Sequence, residues 1–407
     1  MHELAQLLTA PRPLVWWHGH ADQLQATIGH GEFARFEAVG PDRFTTLQER
    51  FSRLCDRLPA HTCGVRAFVS AAFSPDSQTP SVLIVPRIQW QFTGDSVRCI
   101  DLTAMTVDAD CGHSRPEPAP QPPATGQVPT SAPWLTPADF ERGVAEATAR
   151  IERGDLAKTV LARDAVVALN GAVPLAELLT SLHATYPQCW TFHVDGLVGA
   201  SPERLVRVEN SRVSSRALAG SAPVTGDIDV DDAAANDLLT SAKDQSEHAY
   251  AARSIVEVLR AIADVDVSPT HLVRLPTIMH LATDVTGELR TPHSATEIAG
   301  MLHPSAAICG TPRAEAARVL AELEGFDRGR YSGPVGWVDD CGDGEFVIAL
   351  RCGLIEPGIH GEQIRLFAGA GIVSGSDPAR ERCETETKML PMRNALASVL
   401  SASGEGI

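Results

Sequence analysis

The sequence predicts an α+β fold whose strands pair mainly antiparallel. Segments with helical spacing and segments with strand spacing are mixed along the chain, without the repeated strand–helix–strand order of a parallel sheet. Short turns rich in Gly and Asp, such as CGDGE at 341–345, join neighbouring strand segments and are typical of hairpins. Hydrophobic residues make up 44% of the chain and charged residues 21%, which is enough apolar material for a large core.

Hydrophobic spacing places the elements. Phe140, Val144, Ala147 and Ile151 recur at helical spacing, so residues 137–153 predict an amphipathic helix. Similar patterns predict further helices, at 43–58, 174–185, 232–264, 294–301, 313–324 and 378–401. Runs of β-branched and aromatic residues predict strands, at 66–73, 81–92, 96–103, 158–169, 190–198, 204–209, 333–339, 345–356 and 363–370.

A proline-rich segment divides the chain. Residues 113–133, HSRPEPAPQPPATGQVPTSAP, contain few large apolar side chains, which indicates an extended connector. We therefore expect an N-terminal α/β segment of the same fold at 1–112, a connector at 113–135 and the main functional region at 136–402.

Charge and hydropathy exclude several classes of partner. The formal net charge is −17, and such a surface repels nucleic acid and anionic membranes. No window approaches the apolar length of a membrane helix, and the first residues lack the features of a secretory signal. We therefore expect a cytoplasmic protein without nucleic-acid or membrane partners. The nine cysteines form no CxxC pair, so we expect no disulfide scaffold and mostly buried thiols.

Two pairs of acidic residues are candidates for metal binding. Asp244 and Glu247 are three residues apart on a predicted helix, so both carboxylates project from one face, and Glu381 and Glu384 repeat this spacing. Taken singly, such pairs more often belong to solvated helix faces. Two pairs that converge would form the all-oxygen environment that Mg²⁺ prefers.

Lys158 and Glu203 are candidate acid–base residues. A lysine that begins an apolar strand can lose hydration and act as a general base, although a solvated surface lysine is the commoner case. Glu203 follows a proline and is either an ordinary charged turn residue or an acid positioned at a strand end. The run AGAG at 368–371 leaves backbone bare of side chains, which suits close approach of a ligand. These residues alone predict an enzyme with a magnesium site but name no substrate.

Nine sequence blocks in a fixed order resemble the chorismate-binding enzymes. That family includes isochorismate synthases, salicylate synthases, anthranilate synthase component I and aminodeoxychorismate synthase component I. The blocks are KTVLAR (158–163), GASPERL (199–205), ALAGS (217–221), MHLATDVTGEL (279–289), LHPSAAICGTPR (302–313), GRYSGPVGW (329–337), ALRCGLI (349–355), AGAGIVSGSDP (368–378) and ERCETETKM (381–389). The resemblance covers residues 137–399 and implies one large α+β domain of antiparallel sheets flanked by helices, with the site in a cleft between its halves.

Within the family the resemblance favours an isochorismate synthase. Lys158 matches the general base that activates water for attack at C2 of chorismate, and Glu203 matches the general acid that protonates the departing C4 hydroxyl. Ala219 stands where aminodeoxychorismate synthases usually carry a nucleophilic lysine. This chemistry needs a neutral amine and a protonated carboxyl group at the same pH, and burial favours both neutral forms.

The resemblance also implies the ligand contacts. Glu247 and Glu384 match the principal Mg²⁺ ligands, with Asp244 and Glu381 as water-mediated partners. A further set matches substrate-binding positions: Ala219, Gly220, Ser221, His280, Tyr331, Arg351, Gly369, Ala370, Gly371 and Lys388. Local cations and Mg²⁺ would let a dicarboxylate bind despite the negative net charge.

Two alternatives stay open at this point. A salicylate synthase shares the lysine and goes on to eliminate pyruvate from isochorismate. A chorismate-binding regulatory protein would bind without turnover, although the full set of matching acid, base and metal-binding residues weighs against it. We expect a monomer whose ligand is chorismate, and a product that feeds siderophore or menaquinone biosynthesis.

Overall fold

Every strand pair in the computed structural model, which describes residues 2–19, 23–105, 132–274 and 278–402, is antiparallel. The strands form one continuous sheet with helices packed on it, which confirms the predicted α+β class. The predicted connector lies mostly outside the described residues. Of its last part, the Trp134 and Leu135 amides donate to the Asp164 carboxylate.

The strands are numbered in chain order. They are Leu14–His18 (β1), Gln25–Ala38 (β2), Arg66–Ser70 (β3), Ser81–Thr93 (β4), Ser96–Asp101 (β5), Lys158–Ala168 (β6), Trp190–Val194 (β7), Leu197–Ser201 (β8), Arg204–Glu209 (β9), Arg212–Pro223 (β10), Ala263–Val267 (β11), His271–Arg274 (β12), Ile278–Leu289 (β13), Gly310–Thr311 (β14), Pro334–Asp339 (β15), Gly344–Ile348 (β16), Cys352–Pro357 (β17) and Glu362–Ile372 (β18).

The α-helices are numbered in the same way. They are His2–Leu7 (α1), Arg43–Cys55 (α2), Pro137–Glu152 (α3), Leu175–Thr185 (α4), Ile228–Thr240 (α5), Ala242–Ile262 (α6), Ala295–Leu302 (α7), Arg313–Glu324 (α8) and Pro378–Ala402 (α9).

The sheet consists of two halves. In the first half the strand order is β14–β6–β18–β17–β8–β7–β1–β2. In the second half it is β4–β3–β15–β16–β9–β10–β13, and the β2–β4 ladder joins the two. Helices α3, α4, α8 and α9 pack on the first half, α5, α6 and α7 pack on the second, and α2 packs on β2 and β4, where the halves join. The largest buried cluster joins the two halves, because it contains Leu161 and Ala316 of the first and Val213 and Ala295 of the second.

Helix α3 shows why the sequence folds as predicted. Thr136 accepts a hydrogen bond from the Asp139 amide and so caps the helix N-terminus. All four apolar residues of the predicted face are buried, namely Phe140, Val144, Ala147 and Ile151. Burial of a large apolar side chain contributes about 1.5–3 kcal/mol, so this face fixes the helix on the sheet.

Three predicted elements are interrupted. The predicted strand 190–198 consists of β7 and the start of β8, because Asp195 and Gly196 both have positive φ and form the turn between them. The predicted helix 232–264 consists of α5 and α6, because Ser241 leaves helical geometry and its side chain caps α6 by accepting from the Asp244 amide. The predicted strand 345–356 consists of β16 and β17, because Arg351 has φ +49 between them.

The thiol prediction was partly wrong. The eight described cysteines are free, in agreement with the absence of a disulfide scaffold, but only Cys189, Cys309 and Cys352 are buried. Four are exposed: Cys63, Cys99, Cys341 and Cys383. The residue type did not reveal this, because small apolar side chains also occur on the surface of folded proteins. Among the described helices, none is long and apolar enough to cross a membrane.

Candidate active site

Glu203 and Arg351 lie on the links by which the chain passes between the two halves. Glu203 connects β8 to β9, and Arg351 connects β16 to β17. The links are bonded to the neighbouring backbone: the Ile348 amide donates to the Glu203 carbonyl at 3.0 Å, and the Ala200 amide donates to the Arg351 carbonyl at 3.2 Å. The fold therefore holds both side chains at the junction of the halves.

The Glu203 carboxyl group is a much weaker acid than usual. Burial raises the pKa of this group to about 7, although the nearby positive charges of Lys388 and Lys158 act to lower it. A carboxyl group with this pKa retains its proton in part of the molecules at neutral pH. It can then serve as a general acid where an ordinary glutamate is ionised.

Lys158 lies at the first position of β6, beside the glycine-rich strand β18. A Cβ placed on Gly371 would lie 3.3 Å from Lys158 Cε and 3.7 Å from its Nζ. Lys158 also lines a cavity of about 310 Å³ together with Ser246, Tyr250 and Ala306. The amine is thus supported by strand backbone and borders space that can hold a small molecule.

Gly369 and Gly371 direct their backbone groups away from β6. In the β6–β18 ladder Gly369 lies opposite Ala162, and Gly371 lies opposite Val160. The amides of Ala162 and Val160 donate to groups that do not belong to β18. In an antiparallel ladder the two members of such a pair both turn their N–H and C=O groups outward. One of these outward groups, the Gly369 carbonyl, accepts a hydrogen bond from Lys388 Nζ at 2.9 Å.

Tyr331 packs behind the glycines. Its ring stacks on Phe367 with 4.9 Å between centroids, and its hydroxyl lies 3.4 Å from the position of a Cβ on Gly369. Burial raises the pKa of Tyr331 to about 12, so the hydroxyl stays protonated and can donate a hydrogen bond. Arg351 Nη1 is 3.4 Å from the Lys388 carbonyl, so the arginine lies beside helix α9, to which Lys388 belongs.

A bulge in the second half aims two further predicted residues at each other. The β10–β13 register shifts between Ala219 and Ser221, where Gly220 has φ +73, a conformation that favours glycine. Ser221 Oγ and His280 Nδ1 then lie 2.7 Å apart. Burial, together with the charges of Arg351 and Lys388, lowers the pKa of His280 to about 4, so the imidazole is neutral at pH 7.

The predicted metal-binding carboxylates lie on two helices. Asp244 is in the first turn of α6, and its Cβ is 3.3 Å from the position of a Cβ on Gly220. On α9, Glu384 Oε1 lies 2.6 Å from Lys388 Nζ. Burial raises the pKa of Glu381, and the charge of Glu384 raises it further. Glu247 belongs to α6, but its side chain lies outside the described part of the structure.

No close group of three among these carboxylates is present in the described side chains. The group of ligand atoms lying within 4.8 Å of one another is a different one, Asp339, Asp340 and Cys341 in the β15–β16 turn. The structure thus brings Lys158 and Lys388 into electrostatic range of Glu203, and Arg351 and Lys388 into electrostatic range of His280. The joint metal-binding role of the carboxylates stays a prediction.

Sequence reasoning missed some of the cavity lining. Ser246 and Tyr250 lie on α6 near the predicted acidic pair, and Ala306 follows the cis His303–Pro304 bond. A signal for the two α6 residues was available, since position 250 is three residues after Glu247 on one helix. The scarcity of lysine is a separate signal, which supports the predicted site lysines. The chain has three lysines among 34 basic residues, and two of them are the predicted site residues Lys158 and Lys388.

Comparison with known proteins identifies the family of this chain. A family model described as "Chorismate binding enzyme" matches residues 3–397. The isochorismate synthase DhbC of Bacillus subtilis (strain 168) is 38% identical over 275 residues, which cover 64% of this chain and 68% of that relative.

Two solved structures are similar over almost the whole chain. One is a putative 2,3-dihydroxybenzoate-specific isochorismate synthase, DhbC, from Bacillus anthracis, with TM-score 0.76, 28% identity and coverage of 98% of this chain and 100% of the other. The other is MenF, the menaquinone-specific isochorismate synthase from Escherichia coli, with TM-score 0.76, 25% identity and coverage of 97% and 91%.

Proposed function

Since the chain belongs to the chorismate-binding enzyme family, we propose that it is an isochorismate synthase, an isomerase that converts chorismate to isochorismate. The relatives and the similar structures described above carry that activity in their names. The single observation that carries the proposal is the Glu203 carboxyl group, whose pKa burial raises to about 7 while two lysine charges lie near it. An acid and an amine in one site are what this isomerisation requires.

The proposed reaction exchanges one water for another. Lys158, as the neutral amine, takes a proton from a water molecule whose oxygen forms a bond to C2 of chorismate. The ring double bond shifts, the C4–O bond breaks, and the protonated Glu203 supplies the proton with which the C4 hydroxyl leaves as water. The cycle closes when the Lys158 ammonium loses its proton and the Glu203 carboxylate regains one through solvent.

The cations and backbone groups of the site fit a dicarboxylate. Arg351 and Tyr331 are proposed to hold the enolpyruvyl carboxylate, and the backbone groups of Gly369 and Gly371 face the same region. Lys388 supplies a second cation beside them. The negative net charge of the chain therefore does not prevent binding, because the charges that a substrate meets are local.

The carboxylates fit a hard divalent cation. Glu381 and Glu384 bring two like charges onto one turn of α9, where burial raises the pKa of Glu381 and the ammonium of Lys388 partly offsets the charge of Glu384. We propose that Glu384 and Glu247 hold Mg²⁺ directly and that Asp244 and Glu381 assist through water. When bound, Mg²⁺ would neutralise and orient the ring carboxylate.

The product is proposed to enter siderophore or menaquinone biosynthesis. The two similar structures carry different pathway names at the same TM-score, so the comparison supports both. The monomeric state and the cytoplasmic location expected from the sequence stay predictions.

Product analysis tests the proposal. Purified protein with chorismate and Mg²⁺ is expected to form isochorismate alone, and EDTA is expected to stop turnover. Lys158→Ala and Glu203→Gln should abolish most activity, whereas the control Glu209→Gln, at an exposed end of β9, should not. Salicylate with pyruvate as the main products would instead identify a salicylate synthase. Chorismate binding without any product would contradict both enzymes.

A further inference from the structure

Strand β6 lacks a neighbouring strand along part of the edge that faces away from β18. At its start Lys158 and Thr159 pair with the two residues of β14, and the Val160 amide donates to the Cys309 carbonyl at 2.9 Å. Beyond this point the edge continues without a strand partner in the described pairings, although its backbone groups are buried and need partners.

Two side chains take the place of the missing strand. Glu324 Oε1 accepts from the Ala162 amide at 2.7 Å, and Arg328 Nη2 donates to the Val160 carbonyl at 2.5 Å. Glu324 and Arg328 are bonded to each other as well, with 2.8 Å between Arg328 Nε and Glu324 Oε2. Both side chains are almost fully buried, at 4% and 3% exposure.

Arg328 is also bonded to two other segments near the site. Arg328 Nη1 donates to the Ile308 carbonyl at 3.0 Å, two residues after Ala306 of the cavity lining. The Tyr331 amide donates to the Arg328 carbonyl at 3.1 Å. The ion pair therefore connects the strand that begins at Lys158 with the segment that follows Ala306 of the cavity lining, and the Arg328 backbone is bonded to Tyr331.

The local sequence accounts for this arrangement. Helix α8 ends at Glu324, and Gly325 has φ +67, a left-handed conformation that ends helices and that glycine adopts without strain. The chain turns back at that point, so Arg328 meets the side chain of Glu324 from the same side. The planar guanidinium can then bond the carboxylate and two carbonyl groups at once, which a lysine ammonium cannot do in this geometry.

We propose that Glu324 and Arg328 are positioning residues that fix strand β6, and with it the amine of Lys158, for the reaction. The inference rests on the proposed function. A buried ion pair is weak evidence for stability, since packed apolar residues often serve as well. Its side-chain bonds to two backbone segments of one site indicate that the pair fixes the geometry of that site.

A matched control is present on the same strand. Asp164 of β6 and Arg365 of β18 form a second buried ion pair, at 0% and 3% exposure, six residues from Lys158 along the strand. It holds the Trp134 and Leu135 amides and touches none of the cavity lining named above. Loss of either pair costs stability, but only loss of the first should move Lys158.

The test compares Arg328→Lys with Asp164→Asn. We measure kcat and KM for chorismate, and also the rates at which a mild amine-modifying reagent labels Lys158 and Lys388, resolved by mass spectrometry. With Arg328→Lys we expect kcat to fall about 100-fold while KM changes by less than about threefold. A misplaced base raises the free energy of the transition state but leaves substrate binding nearly unchanged. The ratio of Lys158 to Lys388 labelling should change, whereas Asp164→Asn should leave kcat and this ratio near their wild-type values.

Three results would contradict the positioning role of Glu324 and Arg328. Wild-type kcat or an unchanged labelling ratio in Arg328→Lys would overturn the inference, and so would an equal kcat loss in Asp164→Asn. If Arg328→Lys does not fold, the near-isosteric Glu324→Gln replaces it, with the same expectations. If the wild-type protein makes no isochorismate, the proposed function fails, yet the labelling ratio still reports whether the pair positions Lys158.

Discussion

Lys388 Nζ lies 2.6 Å from Glu384 Oε1 and 2.9 Å from the Gly369 carbonyl oxygen, so one ammonium group joins helix α9 to the glycine-rich edge of β18. The charge of Lys388 also lowers the pKa of Glu203 and of His280. One cation thus contacts or influences the proposed metal-binding helix, the proposed acid and the serine–histidine pair.

Lys388→Gln should weaken substrate binding. A hydrogen bond to a charged group contributes about 1.5–3 kcal/mol, so we expect KM for chorismate to rise roughly 10- to 100-fold. Initial rates over a range of chorismate concentrations at saturating Mg²⁺ measure this. Arg393→Gln removes the same charge from an exposed position of the same helix and should leave KM unchanged. Equal effects of the two substitutions would show that only net charge matters.

Loss of activity at alkaline pH should depend on Glu203. Because the proposed acid must be protonated, kcat/KM should fall as pH rises through about 7, the value to which burial raises the pKa of this group. A pH profile of the wild-type protein checks this, with Glu209→Gln as the control. Residual activity of Glu203→Gln should lack this particular fall. A wild-type profile that is flat between about pH 6 and pH 8 would contradict the assignment.

Glu203 should also make folding stability depend on pH. As pH rises from about 4.5 to about 7, the group ionises in the unfolded chain but stays protonated in the folded one, so the wild-type protein loses stability. Glu203→Gln should be more stable than the wild type above this window by on the order of 2 kcal/mol, with allowance for partial exposure, and should show no gain below it. Denaturant unfolding at about pH 4 and pH 8 measures the difference, and a constant difference would exclude this origin.

Local patterns predicted the elements that carry strong local signals. Helix α3 has four apolar residues at helical spacing, and all four are buried. Strand β10 was not predicted, because RVSSRALAGSAP mixes small and polar residues and lacks a β-branched run. Its strand geometry comes from a long ladder with β13, which is a non-local contact.

The site depends on non-local contacts even more. Glu203 and Ile348 are bonded through the backbone although they are far apart in the chain, and nothing in either segment indicates the partner. The residue types of the site were predictable from the resemblance, since the blocks carry them in order. The replacement of a strand by Glu324 and Arg328 was not, because it requires knowledge of which edge of β6 lacks a neighbour.

Substitution of the α9 carboxylates by amides should raise the Mg²⁺ concentration that the enzyme requires. Removal of a group that orients a metal ligand typically costs about 10- to 100-fold in metal affinity, so Glu381→Gln should raise the Mg²⁺ concentration for half-maximal activity by that factor. Glu384→Gln, at a proposed direct ligand, should raise it at least as much. Activity against free Mg²⁺ and calorimetric titration both report this. Glu386→Gln, on the same helix but paired with Arg382, should leave the Mg²⁺ requirement unchanged.

Gly371→Ala should separate the position of Lys158 from the stability of the fold. Strand backbone at Gly371 accepts alanine, but the added Cβ would lie 3.3 Å from Lys158 Cε and 3.7 Å from Nζ, which is close enough to displace the amine. The end of a flexible side chain moves at little cost, so the melting temperature should change little, whereas kcat should fall about 10-fold or more because the proposed base is displaced.

Gly143→Ala is the control for that substitution. It lies in α3, where the new Cβ would meet Leu161 Cδ1 at an ordinary 3.7 Å, and alanine favours a helix over glycine by roughly 1 kcal/mol. We expect this variant to keep wild-type kcat and to unfold at the same or a higher temperature. If folded Gly371→Ala also keeps wild-type kcat, the amine of Lys158 need not occupy the space beside Gly371 during turnover, and its assignment as the base would lose its geometric support.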